Sequence, residues 1–330
     1  MRLRKLITML PVIALLAFGI APADAASSAV PPLGHVFVII GENTELGQIN
    51  ATNSPYITGT LKPASAWLTN YFALTHFSEA NYVGMMSGQF TACQQFDGSA
   101  ASCHQNVQNL FSQLDEKGVS WQSWMESMPA PCYLTSTGAP KTLNHYGAKH
   151  NPAIFFDNIE GGDYTGHQGT FANCLAHDIP TGGIGPNDTS TLDAALAAGD
   201  VAQFNFIVPN ECEDAHDNCS PQGNGVTQFD NFLQREVPKI TNSPAFKNDP
   251  NAVLIITFDE GTSNRGDGNG HQFAGGGNVM FAAVGPQVVP GTYAGTHDHY
   301  SLLRTLEDGY GLGCLVGACT AGPIGEIWGP

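Results

Sequence analysis

Short, almost wholly apolar runs alternating with segments of helical periodicity predict an α/β protein built on a doubly wound, mainly parallel sheet with helices on both faces. Residues 36–40, 204–208, 252–258 and 279–284 are continuous apolar runs rich in β-branched and aromatic side chains. Such runs suit strands buried on both sides. Between them, apolar residues recur at the three- and four-residue spacing of a helix face. In sheets of this kind a ligand site lies beyond the carboxyl ends of the strands, so the residues just after each run carry the functional reading.

The first run, 36–40, is followed at once by Gly41, Glu42 and Asn43. Residues 75–82 read Thr-His-Phe-Ser-Glu-Ala-Asn-Tyr, a hydroxyl- and amide-bearing stretch that comes after an apolar run and leads toward Gly88. A serine at a helix start is either a nucleophile, helped by the positive helix end, or an ordinary cap, and the residues alone do not choose. Val107, Leu110, Phe111 and Leu114 mark a helix ended by Lys117-Gly118, and Leu192, Ala195 and Leu196 mark another before Gly199. The run 204–208 leads into a loop that crowds Glu211, Glu213, Asp214 and Asp217 around His216. That histidine suits protonation of a leaving group or a hold on a phosphate oxygen; the alternative is a solvated acidic loop. Phe229, Phe232 and Leu233 form a third helix face, and the run 252–258 then delivers Asp259-Glu260-Gly261. Oxygen donors after two equivalent strands suit a divalent cation such as Ca²⁺, Mg²⁺, Mn²⁺ or Zn²⁺, although either pair alone would be a routine cap. The last helix, with Leu302, Leu303 and Leu306, opens on His297-Asp298-His299-Tyr300. There a histidine beside an acid can act as base, acid or ligand. His271 is a weaker candidate, and His35, His104, His145, His167 and His177 have no chemistry-bearing neighbours in the sequence.

Composition bounds the function. The chain has 12 basic against 29 acidic residues, a formal net charge of −17. Nucleic acid is excluded as a partner, because such binding rests on a cationic surface. An anionic substrate must then be held by local cations, by metal or by a helix N-terminus. Arg2, Arg4 and Lys5, an apolar stretch and Ala23-Asp24-Ala25 have the layout of a signal peptide cleaved after Ala25. The stretch is too short for a stable membrane anchor. Residues 26–330 then form one expected domain, since no linker or repeat divides them. The even count of eight cysteines in an exported chain favours four disulfides, by spacing Cys93 with Cys103, Cys212 with Cys219 and Cys314 with Cys319, leaving Cys132 with Cys174. Zinc ligation is the rival.

Taken together, Ile40-Gly41-Glu42-Asn43, the 75–82 stretch, Lys149-His150-Asn151-Pro152, Ile207-Val208-Pro209-Asn210 with Asp214-Ala215-His216-Asp217, Thr257-Phe258-Asp259-Glu260 and His299-Tyr300-Ser301 resemble the phosphoesterase family. That family holds secreted acid phosphatases and phospholipases C and has the alkaline-phosphatase-like fold. The resemblance is greatest to short mycobacterial-type secreted acid phosphatases, which implies hydrolysis of phosphomonoesters, including phosphatidylinositol 3-phosphate, with a phospholipase C-type diesterase or a non-catalytic binding protein as alternatives. It implies metal ligation by Glu42, Asn43, Asp259 and Glu260, and a phosphate pocket lined by His150, His216 and His299. A second resemblance, to the hydroxyl-x-Pro-Asn spacing of nucleotide pyrophosphatases, ranks Ser78 first as nucleophile and Thr75 second, with Asn81 steadying phosphoryl oxygens. Ala80 stands in place of that proline, and Thr44 where many relatives carry histidine or arginine.

Overall fold

The computed structural model describes residues 30–90, 93–268 and 275–329. The expected signal peptide and His271 lie outside them. Eight strands form one sheet: β1 (Val36–Gly41), β2 (Ala66–Phe72), β3 (Trp121–Met125), β4 (Asp178–Pro180), β5 (Phe204–Val208), β6 (Val253–Phe258), β7 (Asn278–Val284) and β8 (Gly291–Asp298). Their order is β4-β3-β5-β1-β6-β7-β2-β8. Every neighbouring pair is parallel except those made by β7, which runs antiparallel to both β6 and β2. The expected mainly parallel sheet is therefore present, with one reversed strand.

Burial explains which strands are visible in the sequence. All residues of β1, β5 and β6 are buried, so each reads as an unbroken apolar run. By contrast β8 is an edge strand whose first six residues are exposed or half-buried, and its sequence, Gly-Thr-Tyr-Ala-Gly-Thr-His-Asp, gives no such run. Strand β4 has only three residues. At the end of β1, a Cβ on Gly41 would lie 2.6 Å from the Phe258 ring and 3.0 Å from Phe229. The two aromatic rings can close over the strand end only because that position is glycine.

Five helices matter for the site: α1 (Ser78–Ser87), α2 (Leu110–Lys117), α3 (Ser190–Ala198), α4 (Gly225–Asn242) and α5 (His299–Tyr310). Helices α2 and α3 end on left-handed glycines, Gly118 and Gly199, as their sequences predict. All ten residues of α1 are buried, polar ones included. It is thus a core helix that carries chemistry into the interior. Arg235 on α4 makes a two-pronged bond to Glu213, 3.0 and 2.7 Å, and so ties the 210–217 loop to the helix layer. All four expected disulfides are formed, Cys132–Cys174 among them, so none of these cysteines is a metal ligand.

Candidate active site

The carboxyl ends of β1, β2, β5, β6 and β8 meet along one edge, which brings Glu42, Ser78, Asp214 and Asp259 together. The chain turns sharply after β1 at Asn43, whose φ of 49° is in the left-handed region that asparagine tolerates. Its amide there donates to Asp259 Oδ1 at 3.1 Å, and its side-chain amide to Glu42 Oε2 at 3.1 Å. The two strand-end pairs are thereby locked to each other. Ala215, with φ 86°, holds a strained turn between Asp214 and His216.

Ser78 is the first helical residue of α1, and Phe77, not Ser78, occupies the cap position. The serine is therefore free of capping. Its Oγ donates to Glu42 Oε2 at 2.9 Å and lies 3.5 Å from Glu260 Oε1. Among the described residues Thr75 makes no comparable contact with a carboxylate. On the other side of Glu42, His150 Nε2 lies 3.3 Å from Oε1 while its Nδ1 lies 3.2 Å from Asp214 Oδ2. The imidazole is stacked on Tyr82, with ring centroids 5.3 Å apart.

Negative charge is concentrated here, with Lys149 only partly offsetting it at Glu42 and Asp214. Burial, then repulsion from Asp259 and Asp214, pushes the Glu42 carboxyl well above the usual carboxylate range. Burial, then Glu211, does the same to Asp214, and burial raises Asp259. Burial lifts Glu260 to about 7 against the opposing hydrogen bond with His76 Nδ1, 3.0 Å from Oε2. Glu42 Oε1, Asp214 Oδ2, Asp259 Oδ2 and His150 Nε2 are all buried with no hydrogen-bond partner. Orphaned oxygens at this density are costly unless a cation satisfies them. Glu42, His150 and His216 also bring ligand atoms within 4.8 Å of one another. The donor set, oxygen-rich with imidazole nearby, fits a divalent cation.

Two expected roles are corrected. Asn81 cannot steady phosphoryl oxygens, because its side chain is fully used: Oδ1 accepts from the amides of Leu74 and Thr75 at 3.0 and 3.1 Å, and Nδ2 donates to the carbonyls of Thr75 and Phe77 at 2.9 and 3.2 Å. It pins the loop that presents Ser78. His299 does not line the phosphate pocket or act as acid or base. Its Nδ1 meets Tyr71 Oη at 2.9 Å and its Nε2 meets the Asp259 carbonyl at 2.6 Å. Burial lowers it to about 4, so it is a neutral strut beneath Asp259. The neighbouring acid is occupied elsewhere, with Asp298 Oδ1 accepting from the Ser301 amide at 2.9 Å as the cap of α5.

The structure also brings to the site residues to which the sequence assigns no role of their own. Lys149 Nζ stands 3.1 Å from His216 Nε2 and 3.3 Å from Asp97 Oδ2. Although burial works against its charge, Glu42, Asp97 and Glu211 hold its pKa above the ordinary lysine value. It is the local cation that the acidic composition demands. His76, held charged to higher pH than usual chiefly by its hydrogen bond with Glu260, flanks Ser78. A cavity of about 480 Å³ opens beside Lys149, lined by Asp97, Leu134, Ala148, Phe155 and Glu211 among others. A smaller one, about 280 Å³, is bordered by Asn43 and His216. Three of the histidines without neighbours in the sequence stand apart from the site: His35 pairs with Asp249, His104 with Asp157, and His177 stacks on Trp121. His145 is different, for it touches Glu211 and Asp217.

The sequence profile of the Phosphoesterase family matches residues 43–313. A phosphatidylinositol-3-phosphatase of Mycobacterium tuberculosis is 28% identical over 314 residues, covering 92% of this chain and 86% of that protein. A probable acid phosphatase of Kluyveromyces lactis is 27% identical over 286 residues, 84% of this chain and 58% of its own. The chain spans 58%, 52% and 49% of the length of three fungal acid phosphatases that it matches. In fold it resembles a protein of the alkaline phosphatase superfamily from Vibrio parahaemolyticus, with a TM-score of 0.57, 12% identity and coverage of 89% of this chain and 71% of the other. A lipoteichoic acid synthase from Listeria monocytogenes gives a TM-score of 0.51 at 10% identity, covering 90% and 77%. These two likenesses are of fold alone.

Proposed function

We propose that this chain, a member of the phosphoesterase family and a phosphoric monoester hydrolase, is a secreted acid phosphatase working through a phosphoserine at Ser78. The observation that carries this is the hydrogen bond from Ser78 Oγ to Glu42 Oε2 at 2.9 Å, at the N-terminus of a buried helix. A hydroxyl becomes a competent nucleophile when an adjacent base can take its proton. Glu42, which accepts the Ser78 hydroxyl hydrogen bond, is placed to be that base. The positive end of α1 favours the negative charge of the phosphoryl group arriving there.

In the first step the Ser78 Oγ–P bond forms, the serine proton passes to Glu42, and the bond from phosphorus to the leaving oxygen breaks. The leaving oxygen takes its proton from the Lys149–His216 pair, whose Nζ and Nε2 also face the phosphoryl charge. In the second step water attacks phosphorus and gives a proton back to the Lys149–His216 pair, the Oγ–P bond breaks, and Oγ recovers its proton from Glu42. A divalent cation held by Glu42, Asn43, Asp259 and Glu260 would supply Lewis-acid polarisation and charge neutralisation. The cavity beside Lys149 gives the leaving group both apolar walls, from Leu134, Ala148 and Phe155, and polar ones. Such a mixture accommodates the organic part of a phosphomonoester, a phosphoinositide headgroup included. Four disulfides and the expected signal peptide support secretion.

The test is hydrolysis of p-nitrophenyl phosphate and of phosphatidylcholine by the purified protein, across pH, before and after chelation and with single metals restored. Monoester turnover lost on chelation and regained with one ion supports the reading and names the ion. Turnover indifferent to chelation removes the metal. Cleavage of phosphatidylcholine without monoester turnover replaces the phosphatase with a diesterase.

A further inference from the structure

His216 also borders a second group of ligating side chains, of which the phosphatase chemistry uses His216 alone. His145 Nδ1 is 3.2 Å from Glu211 Oε2 and 3.6 Å from Asp217 Oδ2. His216 Nδ1 is 3.2 Å from the same Glu211 oxygen and 3.3 Å from Asp217 Oδ1. Each imidazole Nδ1 thus lies within 3.6 Å of both carboxylates, and His145, Glu211 and Asp217 bring ligand atoms within 4.8 Å of one another. Ligands at ~2.0–2.2 Å around a tetrahedral ion lie about 3.3–3.6 Å from each other, and all four distances fall on or beside that edge length.

The arrangement is built into the backbone. The Glu211 amide donates to the His145 carbonyl at 3.0 Å and the Asp217 amide to the Glu211 carbonyl at 2.7 Å. The Lys141 amide fixes Asp217 Oδ2 at 2.6 Å, and Cys212–Cys219 brackets the loop. His145 is only 8% exposed, and its Nδ1, aimed into this group, has no hydrogen-bond partner. We propose that His145, Glu211, His216 and Asp217 form a second cation site, holding a zinc-class divalent ion in tetrahedral N₂O₂ coordination. The mixed nitrogen and oxygen set and the short edges exclude a calcium-like ion, which takes six to eight oxygens.

The site lies outside the Glu42 centre but bears on it. With Nδ1 committed to the ion, the proton of His216 resides on Nε2, which then no longer accepts from Lys149 Nζ, 3.1 Å away. Two donors side by side then face an anionic oxygen. The ion thus fixes the tautomer and orientation of the phosphate-facing histidine.

Cobalt substitution tests this. The purified protein, stripped by chelation and titrated with Co²⁺, develops the intense visible absorption of a tetrahedral ion. That absorption survives Asp259→Asn, which disables the Glu42 centre, and disappears in His145→Ala and in Glu211→Gln, each checked for folding by circular dichroism. The same two substitutions weaken Zn²⁺ affinity by more than about 10-fold, the lower figure for mere outer-sphere partners. Should His145→Ala fail to fold, the isosteric Glu211→Gln carries the result. Absence of the tetrahedral spectrum from the unmodified protein, or its retention in Glu211→Gln, overturns the proposal.

Discussion

Replacing Ser78 by alanine separates catalysis from stability most cleanly. The substitution removes one hydroxyl that donates to Glu42 Oε2 at 2.9 Å and leaves that oxygen with the Asn43 side-chain amide at 3.1 Å. It neither uncaps α1, since Phe77 is the cap residue, nor opens a cavity larger than one oxygen. A hydrogen bond to a charged group contributes ~1.5–3 kcal/mol, and the loss falls toward ~1 kcal/mol when that group carries a proton. With an unfolding entropy of about 2.1 cal/mol/K per residue over roughly 300 residues, the expected fall in Tm is about 2–5 °C. Turnover should behave quite differently, falling at least about 10⁴-fold because no second hydroxyl shares the contact with Glu42. Calorimetry and p-nitrophenyl phosphate kinetics on the same preparation read both quantities. Full turnover in Ser78→Ala, or an equal collapse produced by Thr75→Ala alone, would refute the assignment.

Three further outcomes are expected from the same geometry. Lys149→Met should raise KM for phosphomonoesters about 10- to 100-fold, in keeping with ~1–4 kcal/mol for one charge pair between water-like and surface-like screening; steady-state kinetics check it, and an unchanged KM would remove Lys149 from the phosphate site. Asn81→Ala leaves two amides and the Thr75 carbonyl of the 74–77 loop without partners, so it should destabilise by ~2–5 kcal/mol and lower turnover without changing the leaving-group preference. Chemical denaturation and a substrate series measure these, and loss of activity at full stability would contradict a pinning role. Burial, then repulsion from Asp97, raises Glu79 to about 8, and both of its carboxylate oxygens are buried without partners. The folded state therefore binds a proton that the unfolded state releases near pH 4.5, and stability falls as pH rises from about 4.5 to about 8. Glu79→Gln should raise Tm at pH 8 by an amount worth a few kcal/mol and leave it nearly unchanged at pH 4, as thermal melts at the two pH values will show.

Much of the fold and site is legible in the sequence because the fold obliges it to be. A strand buried on both faces must be an unbroken apolar run, so Glu42 with Asn43 and Asp259 with Glu260 announce themselves by standing directly after such runs. Ser78 is legible as a candidate from its spacing to Asn81 and Gly88, but its competition with capping is settled only by the backbone, which puts Phe77 at the cap. The histidines are the least legible. His299 comes after an acid in sequence, yet Asp298 turns back to cap its own helix and His299 turns under Asp259. His145 has only neutral neighbours in the chain, while its partners Glu211 and Asp217 come from a loop more than sixty residues away. Lys149 is hidden for the same reason, because its significance depends on Asp97, His216 and Glu42 converging through three separate loops. Chain order reveals which residues stand at a strand's end, but the side of an imidazole that faces the pocket is set by partners distant in sequence.

The central claim is a phosphoryl group carried on Ser78. It is tested most directly by mixing the protein with a phosphomonoester during turnover, quenching rapidly in acid and mapping phosphorylation by peptide mass spectrometry. One added phosphoryl group is expected on the peptide containing Ser78, assigned to that residue and absent from Ser78→Ala. A phosphoryl group on Thr75, or brisk turnover with no phosphorylated peptide at any quench time, would contradict it.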